Sequence, residues 1–245
     1  MNAIETKGLT KRFGQKTAVD HIDLEIREGE LFALLGVNGA GKTTTIRMLS
    51  GLSIPAEGSC TVCGFDCKTQ IGQVKQIIGL SPQESAVAEN LTVAENLHFM
   101  AQVYGLSGQE EQGRVAEMIA AFHLEEVASS RAKTLSGGWK RKLSIAMALI
   151  SRPRVLFLDE PTLGLDVLAR RELWRTIESL KGQVTVLLTT HYMEEAQQLA
   201  DRIAVMIDGR IAAMGTLQEL ETLTGQNGLE EVFVAIAEGK VSDNA

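Results

Sequence analysis

The sequence predicts an α/β fold: a parallel-sheet core, an antiparallel β part near the N-terminus, and a helical lobe inserted at residues 84–150. Three observations carry this reading. Residues 31–35, 155–158 and 185–188 are short, nearly unbroken apolar runs, the pattern of strands buried on both faces. Helical stretches separate them, which is the alternation of a parallel α/β sheet. Residues 90–128 carry helical periodicity and few strand signals.

Taken in order, residues 21–27 alternate polar and apolar, as a half-buried antiparallel strand does, and residues 4–9 supply its partner. His21 falls on the polar, solvated side. The run 31–35 leads into a glycine-rich turn and then a helix, Thr44-Thr45-Ile46-Arg47-Met48-Leu49. In the lobe, Leu91, Ala94, Leu97 and Phe99 begin one helix, and Val115, Met118, Ile119 and Phe122 form the apolar stripe of another. A third helix follows Ser136-Gly137-Gly138, with Leu143, Ala146, Met147 and Ile150 as its apolar positions. Its Lys140-Arg141-Lys142 triplet reads as a solvated face. Residues 203–207 and 210–214, joined by Asp208-Gly209, read as a hairpin. Leu229, Val232, Phe233 and Ile236 have helical spacing and dock on the body, and residues 238–245 are polar and expected to fray.

The 245 residues are 44% hydrophobic, enough for a sizeable core in one domain or two close lobes. With 31 acidic against 24 basic residues the chain carries a formal charge of -7, which argues against a nucleic-acid partner. No stretch approaches the roughly 18 apolar residues of a membrane span. The N-terminal residues 1–5 lack the basic and apolar regions of a secretory signal, so a cytosolic location is expected unless a partner holds the chain at a membrane. Cys60, Cys63 and Cys67 lie close together. An Fe–S or zinc site of that type takes four ligands, and no fourth cysteine exists. The expectation is therefore small residues on a strand and its turn, in a reducing compartment.

Gly36-Val37-Asn38-Gly39-Ala40-Gly41-Lys42-Thr43 fits G-x-x-x-x-G-K-[ST], between a buried strand and a helix. Its glycines let backbone N–H groups converge on phosphate oxygens, and the helix N-terminus adds partial positive charge. Lys42 supplies a full charge to the β/γ-phosphates, and the Thr43 hydroxyl can ligate Mg²⁺. Asp159-Glu160 stand at the carboxyl end of the run 155–158, where α/β sheets place their chemistry. Asp159 is the natural Mg²⁺ partner. Glu160 would face the attacking water and accept its proton or orient it. Ser136-Gly137-Gly138 opens a helix as a second anion seat, and Asp159 follows Gly138 by only 21 residues (159 − 138).

That order, phosphate loop then Leu135-Ser136-Gly137-Gly138 then Asp159-Glu160, resembles the nucleotide-binding subunit of ABC ATPases over nearly the whole chain. The resemblance implies a P-loop NTPase core (residues 1–83 and 151–220, including the N-terminal antiparallel β subdomain), an inserted α-helical signature subdomain (84–150) and a C-terminal extension (221–245), all within one ATPase domain. It implies ATP and Mg²⁺ as ligands. Residues 36 and 38–44 would hold the nucleotide: Gly36, Asn38, Gly39, Ala40, Gly41, Lys42, Thr43 and Thr44. Phe13 matches the aromatic that stacks on adenine. Gln83 matches the glutamine that senses Mg²⁺ and links core to lobe. Asp166, in Gly164-Leu165-Asp166, matches the loop that crosses to a partner subunit, and His191 the histidine that contacts the γ-phosphate and the attacking water. Catalysis would then rest on Glu160, His191, Gln83 and Lys42, and metal binding on Thr43, Gln83 and Asp159.

One departure is Trp139, where the family most often has Gln; the backbone donors of the turn survive, but the side-chain amide is lost. Residues 158–162, 169–174 and 190–196 look closest to multidrug-type subunits that work with separately encoded membrane subunits of the ABC-2 exporter type. The resemblance implies a head-to-tail pair of such subunits. Each ATP would lie between one chain's residues 36–43 and Ser136, Gly137 and Gly138 of the other. Polytopic membrane permease subunits would dock on the helical lobe at residues 80–105, on the cytoplasmic face of the membrane, to export a drug-like or lipophilic substrate. Two readings stand beside it: a soluble ABC ATPase of cofactor assembly, and a nucleotide-gated scaffold that does not hydrolyse.

Overall fold

The computed structural model describes residues 1–239. Two sheets share the molecule. The first is antiparallel, in the order β2-β1-β4-β5, from β1 (Asn2–Phe13), β2 (Lys16–Arg27), β4 (Glu57–Val62) and the short β5 (Phe65–Asp66). The second runs β10-β9-β3-β8-β7-β6, from β10 (Arg210–Gly215), β9 (Arg202–Ile207), β3 (Leu31–Leu35), β8 (Thr185–Thr190), β7 (Val155–Asp159) and β6 (Ile78–Ser81). Its last five strands are parallel, and β10 adds as an antiparallel edge through the expected hairpin.

The apolar runs are unbroken because the second sheet has a core on each face. Leu31, Ala33 and Leu35 of β3 face one core while Phe32 and Leu34 face the other. Leu156 and Leu158 of β7 oppose Val155 and Phe157 in the same way. One core lies under the first sheet, with α1 (Lys42–Leu49) sandwiched between; the other is covered by helices. The antiparallel sheet shows instead the alternation of a one-sided strand: Ile22, Leu24 and Ile26 are buried, while His21, Asp23 and Glu25 are exposed.

Between β6 and β7 come α3 (Val93–Val103), α4 (Gly108–Ala121) and α5 (Gly137–Leu149), preceded by α2 (Ile71–Ile77) before β6. Val115, Met118 and Phe122 are buried as expected, with Ile119 at the edge. The first helix of this region departs from expectation. Thr92 caps it through a reciprocal bond pair with Glu95, so Leu91 lies outside it; its buried stripe is Val93, Leu97 and Ala101, and Phe99 is 52% exposed. The basic triplet also departs from a solvated face. Arg141 and Lys142 are 3% and 4% exposed, because α5 is the central helix of its layer and is buried from Arg141 to Leu149.

The chain continues through α6 (Val167–Glu178), α7 (Met193–Leu199), α8 (Leu217–Thr224) and α9 (Leu229–Ala237). Leu229, Val232, Phe233 and Ile236 of α9 join the helical-side core, so this segment docks as the spacing predicts. Of residues 238–245, expected to fray, 240–245 lie outside the described residues.

Cys60 on β4 and Cys67 after β5 are buried neighbours: the Cys67 N–H donates to the Cys60 carbonyl at 3.0 Å. Cys63 sits beyond the end of β4 on a left-handed turn residue, φ 48°. The cysteines thus pack on a strand and its turns. The neighbouring Cys60 side chain and burial hold the Cys67 thiol above its ordinary range.

Candidate functional site

The carboxyl ends of four adjacent parallel strands, β3-β8-β7-β6, place the chemistry. Gly36 follows β3, His191 follows β8, Asp159 ends β7 with Glu160 next, and Gln83 follows β6 by two residues. That is where open α/β sheets bind ligands. A cavity of about 480 Å³ opens there. Asn38, Gly39, Gly41, Lys42, Thr43 and Thr44 of the glycine-rich loop line it together with Glu160, His191, Gln83 and Phe13.

The loop's shape depends on glycine at two points. A Cβ on Gly36 would fall 2.4 Å from the Met206 carbonyl oxygen, and one on Gly41 2.4 Å from that of Ala18. Gly41 also holds φ 109° at the N-cap of α1, where first-turn N–H groups have no partner within the helix. Gly36 and Ala40, expected to hold the nucleotide, are buried and do not line the cavity. Lys42 is 4% exposed; its ammonium is fixed by donation to the Gly36 carbonyl (2.8 Å) and the Val37 carbonyl (3.2 Å) and lies 3.2 Å from Glu160 Oε1.

Register on the sheet aligns the carboxylates. Asp159 pairs with Thr189 across β7 and β8. The Thr189 hydroxyl donates to Asp159 Oδ1 at 2.6 Å, and the Thr43 hydroxyl donates to the same oxygen at 3.0 Å. Glu160 Oε2 lies 2.7 Å from His191 Nδ1. The pair Thr43 and Asp159, with Gln83, also lines an adjoining cleft of about 420 Å³. A hydroxyl and a carboxylate oxygen side by side at the phosphate cradle are the hard oxygen donors that Mg²⁺ prefers, so this donor set suits it.

Phe13 is 56% exposed, with the Lys11 ammonium 5.2 Å from its ring centre. It reaches the cavity because β1 and β2 continue past residue 9 to a tight turn, in which Phe13 pairs with Lys16. Sequence reasoning missed that extension, and with it Lys16 and Ala18, which line the same mouth, as well as Leu163.

Ser136, Gly137, Gly138 and Asp166 do not line this cavity. They form their own group elsewhere on the surface: a Cβ on Gly137 would lie 3.8 Å from Leu165, and one on Gly138 3.3 Å from Ala169. Asp166 caps α6, accepting from the N–H groups of Leu168 (2.9 Å) and Ala169 (3.0 Å). Trp139 lies half-buried against the helical-side core with the Lys142 ammonium 4.6 Å from its ring centre, and Lys142 pairs with Glu172 at 2.6 Å.

Two buried charged groups behind the site were not foreseen. Arg141 donates to backbone carbonyls of Pro82, Asp159 and Glu160. Glu195 on α7 is 0% exposed and accepts from the Trp174 indole at 3.1 Å. Burial pushes the Glu195 carboxyl above the ordinary range, while Thr190, Thr162, Trp174 and the charge of Arg141 pull it partly back. The folded chain therefore holds this proton more tightly than the unfolded chain, and its contribution to stability falls as pH rises from the ordinary glutamate range through the raised value. Glu195→Gln removes that dependence. In paired denaturant titrations, the stability of Glu195→Gln relative to wild type is expected to rise with pH across this window, by at most about 1.4 kcal/mol per unit. A pH-independent difference would contradict the raised value.

Among the described residues no helix is long and apolar enough to cross a membrane. Residues 19–163 match the family model described as ABC transporter. A probable multidrug ABC transporter ATP-binding protein, YbhF, of Escherichia coli is 41% identical over 240 residues, 95% of this chain and 41% of that protein. The chain thus spans about two fifths of that relative's length. The daunorubicin/doxorubicin resistance ATP-binding protein DrrA of Streptomyces peucetius is 44% identical over 228 residues, covering 93% of this chain and 69% of that one. Among solved structures, an ATP-binding subunit of an ABC transporter superposes with a TM-score of 0.86 at 31% identity, covering 96% of this chain and 99% of its own. A dimeric ATP-binding cassette in a post-hydrolysis state, bound to ADP and Pi, superposes with a TM-score of 0.79 at 26% identity, covering 87% and 98%.

Proposed function

The chain belongs to the ABC transporter family, and on that premise we propose that it is the ATP-binding and ATP-hydrolysing subunit of an exporter. It powers transport of a drug-like or lipophilic substrate through separately encoded membrane subunits. The observation that carries the ATPase reading is the convergence of Lys42, Glu160 and His191. The Glu160 carboxylate is held between an ammonium at 3.2 Å and an imidazole at 2.7 Å, at the wall of the phosphate cradle. The exporter reading draws on the multidrug and drug-resistance names of the relatives.

In this reading the loop N–H groups, with Lys42, grip the β- and γ-phosphates, while Phe13 stacks on the base. Glu160 accepts a proton from water as the water oxygen bonds to the γ-phosphorus and the bond to the β-phosphate bridging oxygen breaks. His191 orients Glu160 and reaches toward the γ-phosphate. Thr43 and Asp159, with Gln83 alongside, would hold Mg²⁺, whose charge would neutralise that of the phosphates. Residues 84–150 act as the signature subdomain, residues 1–83 and 151–220 as the core, and 221–245 as the extension.

Because Ser136, Gly137, Gly138 and Asp166 sit apart from their own chain's cavity, we assign them to a neighbouring chain's nucleotide. Phosphate charge left half-solvated by one loop is then bridged by a second set of donors, and hydrolysis removes the charge both grip. The permease docks at an apolar cleft of about 400 Å³ lined by Leu52, Leu80, Met100, Val103 and Tyr104, and the chain sits on the cytoplasmic face. The test is affinity capture of the tagged chain from solubilised membranes of its native host, with ATPase assayed on the captured material. A polytopic membrane protein in stoichiometric amount, with ATPase activity, is expected. Capture of the chain alone, or with soluble assembly factors, overturns the exporter reading.

A further inference from the structure

Glu160 has a left-handed backbone, φ 47°, unusual for a residue with a side chain. Such conformations are costly and persist where their surroundings over-determine them. Here both sides of the residue are clamped. Its N–H donates to the Thr189 carbonyl (3.1 Å) and hydroxyl (3.0 Å). Its carbonyl accepts from the Leu163 N–H at 3.2 Å and from Arg141 Nη2 at 2.5 Å. The same Arg141 nitrogen lies 3.3 Å from the Asp159 carbonyl, while Nη1 donates at 2.5 Å to the carbonyl of Pro82, the residue before Gln83.

A guanidinium so buried needs a reason. Its bonds all go to main-chain oxygens at the site, Nη1 to Pro82 before Gln83 and Nη2 to Asp159 and Glu160 at the end of β7. A lysine, with a single ammonium, cannot span both. Asp159, Glu160 and Glu195 all favour the charge electrostatically, against the burial that opposes it.

We propose that Arg141 is a positioning residue for hydrolysis: it fixes the left-handed Glu160 peptide and ties it to the loop carrying Gln83, so that the glutamate carboxylate is aligned only when that loop is in place. This rests on the assignment of Glu160 as the group that activates water. The chain contains its own control. Arg114, 6% exposed, donates to the carbonyls of Leu149 and Ile150 at the far end of α5, away from the site.

The experiment compares the purified wild-type chain, Arg141→Met, Arg141→Lys, Arg114→Met and Glu160→Gln by steady-state ATP hydrolysis. Amide exchange over residues 159–163 is followed in the same proteins. In Arg141→Met, kcat is expected to fall at least about tenfold, since misplacement by an ångström costs up to about a hundredfold. KM for ATP is expected to stay within about threefold, and exchange over 159–163 to quicken. Arg141→Lys is expected to recover part of kcat, and Arg114→Met to keep it within about twofold despite a lowered melting temperature. Wild-type kcat in Arg141→Met, or an equal loss in Arg114→Met, overturns the proposal. If Arg141→Met does not fold, Arg141→Lys decides: reduced kcat at unchanged KM supports the proposal and wild-type kcat overturns it. If the wild type itself shows no turnover, the ATPase reading fails, and exchange over 159–163 alone judges the role of Arg141.

Discussion

Replacing Lys42 with alanine is expected to raise the dissociation constant for ATP by roughly a hundredfold. The ammonium is already in place before any ligand arrives, held by the carbonyls of Gly36 and Val37. Little side-chain entropy remains to be lost when phosphate oxygens meet it. With two of its three donors on those carbonyls, the ammonium has one left for phosphate; a hydrogen bond to a charged group contributes up to about 3 kcal/mol, which is roughly two decades of affinity. The change also removes the cation beside Glu160, leaving that carboxylate with His191. The measurement is a titration calorimetry or fluorescent-nucleotide curve, taken beside a melting curve so that folded protein is compared with folded protein. An affinity within threefold of wild type would contradict the phosphate seat.

Glu160→Gln separates chemistry from binding. The glutamine keeps the shape of the side chain and a polar atom toward His191 Nδ1, but it cannot take a proton from water. Positioned general bases contribute about 10² to 10⁴ in rate, so turnover is expected to fall at least about a hundredfold. Binding should not weaken. The wild-type carboxylate lies 3.2 Å from Lys42 and would compete with phosphate for it, which a neutral amide would not. ATP affinity equal to or tighter than wild type is therefore expected. Unchanged turnover would remove Glu160 from the catalytic role.

Much of this was legible in the sequence because it is local. The phosphate loop needs its glycines, lysine and threonine contiguous, and the buried strands need only unbroken apolar runs. What escaped depends on distant segments. Strands β1 and β2 run on to Phe13 and Lys16 through register shifts near Leu9 and Lys11, which break the alternation that marked residues 21–27. The start of α3 carried a readable signal, since Thr92-x-x-Glu95 forms a capping box, and reading it would have placed Phe99 outside the core. Arg141 carried no signal in one dimension. A basic triplet looks solvated until β6, β7 and α5 are brought together, and only then do three carbonyls surround the guanidinium. Asp166 was read for a loop that crosses between chains, yet within this chain it also caps α6, a role any Asp before a helix can serve.

On the proposed reading a nucleotide's terminal phosphate is gripped from two chains, by the loop of one and the Ser136 turn of the other. The most direct measurement is the mass in solution of Glu160→Gln with ATP and Mg²⁺, by light scattering or sedimentation, alone and combined with Ser136→Arg. A dimer that needs ATP and is lost on adding Ser136→Arg, a change outside the chain's own cavity, is the predicted result. A monomer in both proteins, or a dimer indifferent to nucleotide and to Ser136, contradicts the claim.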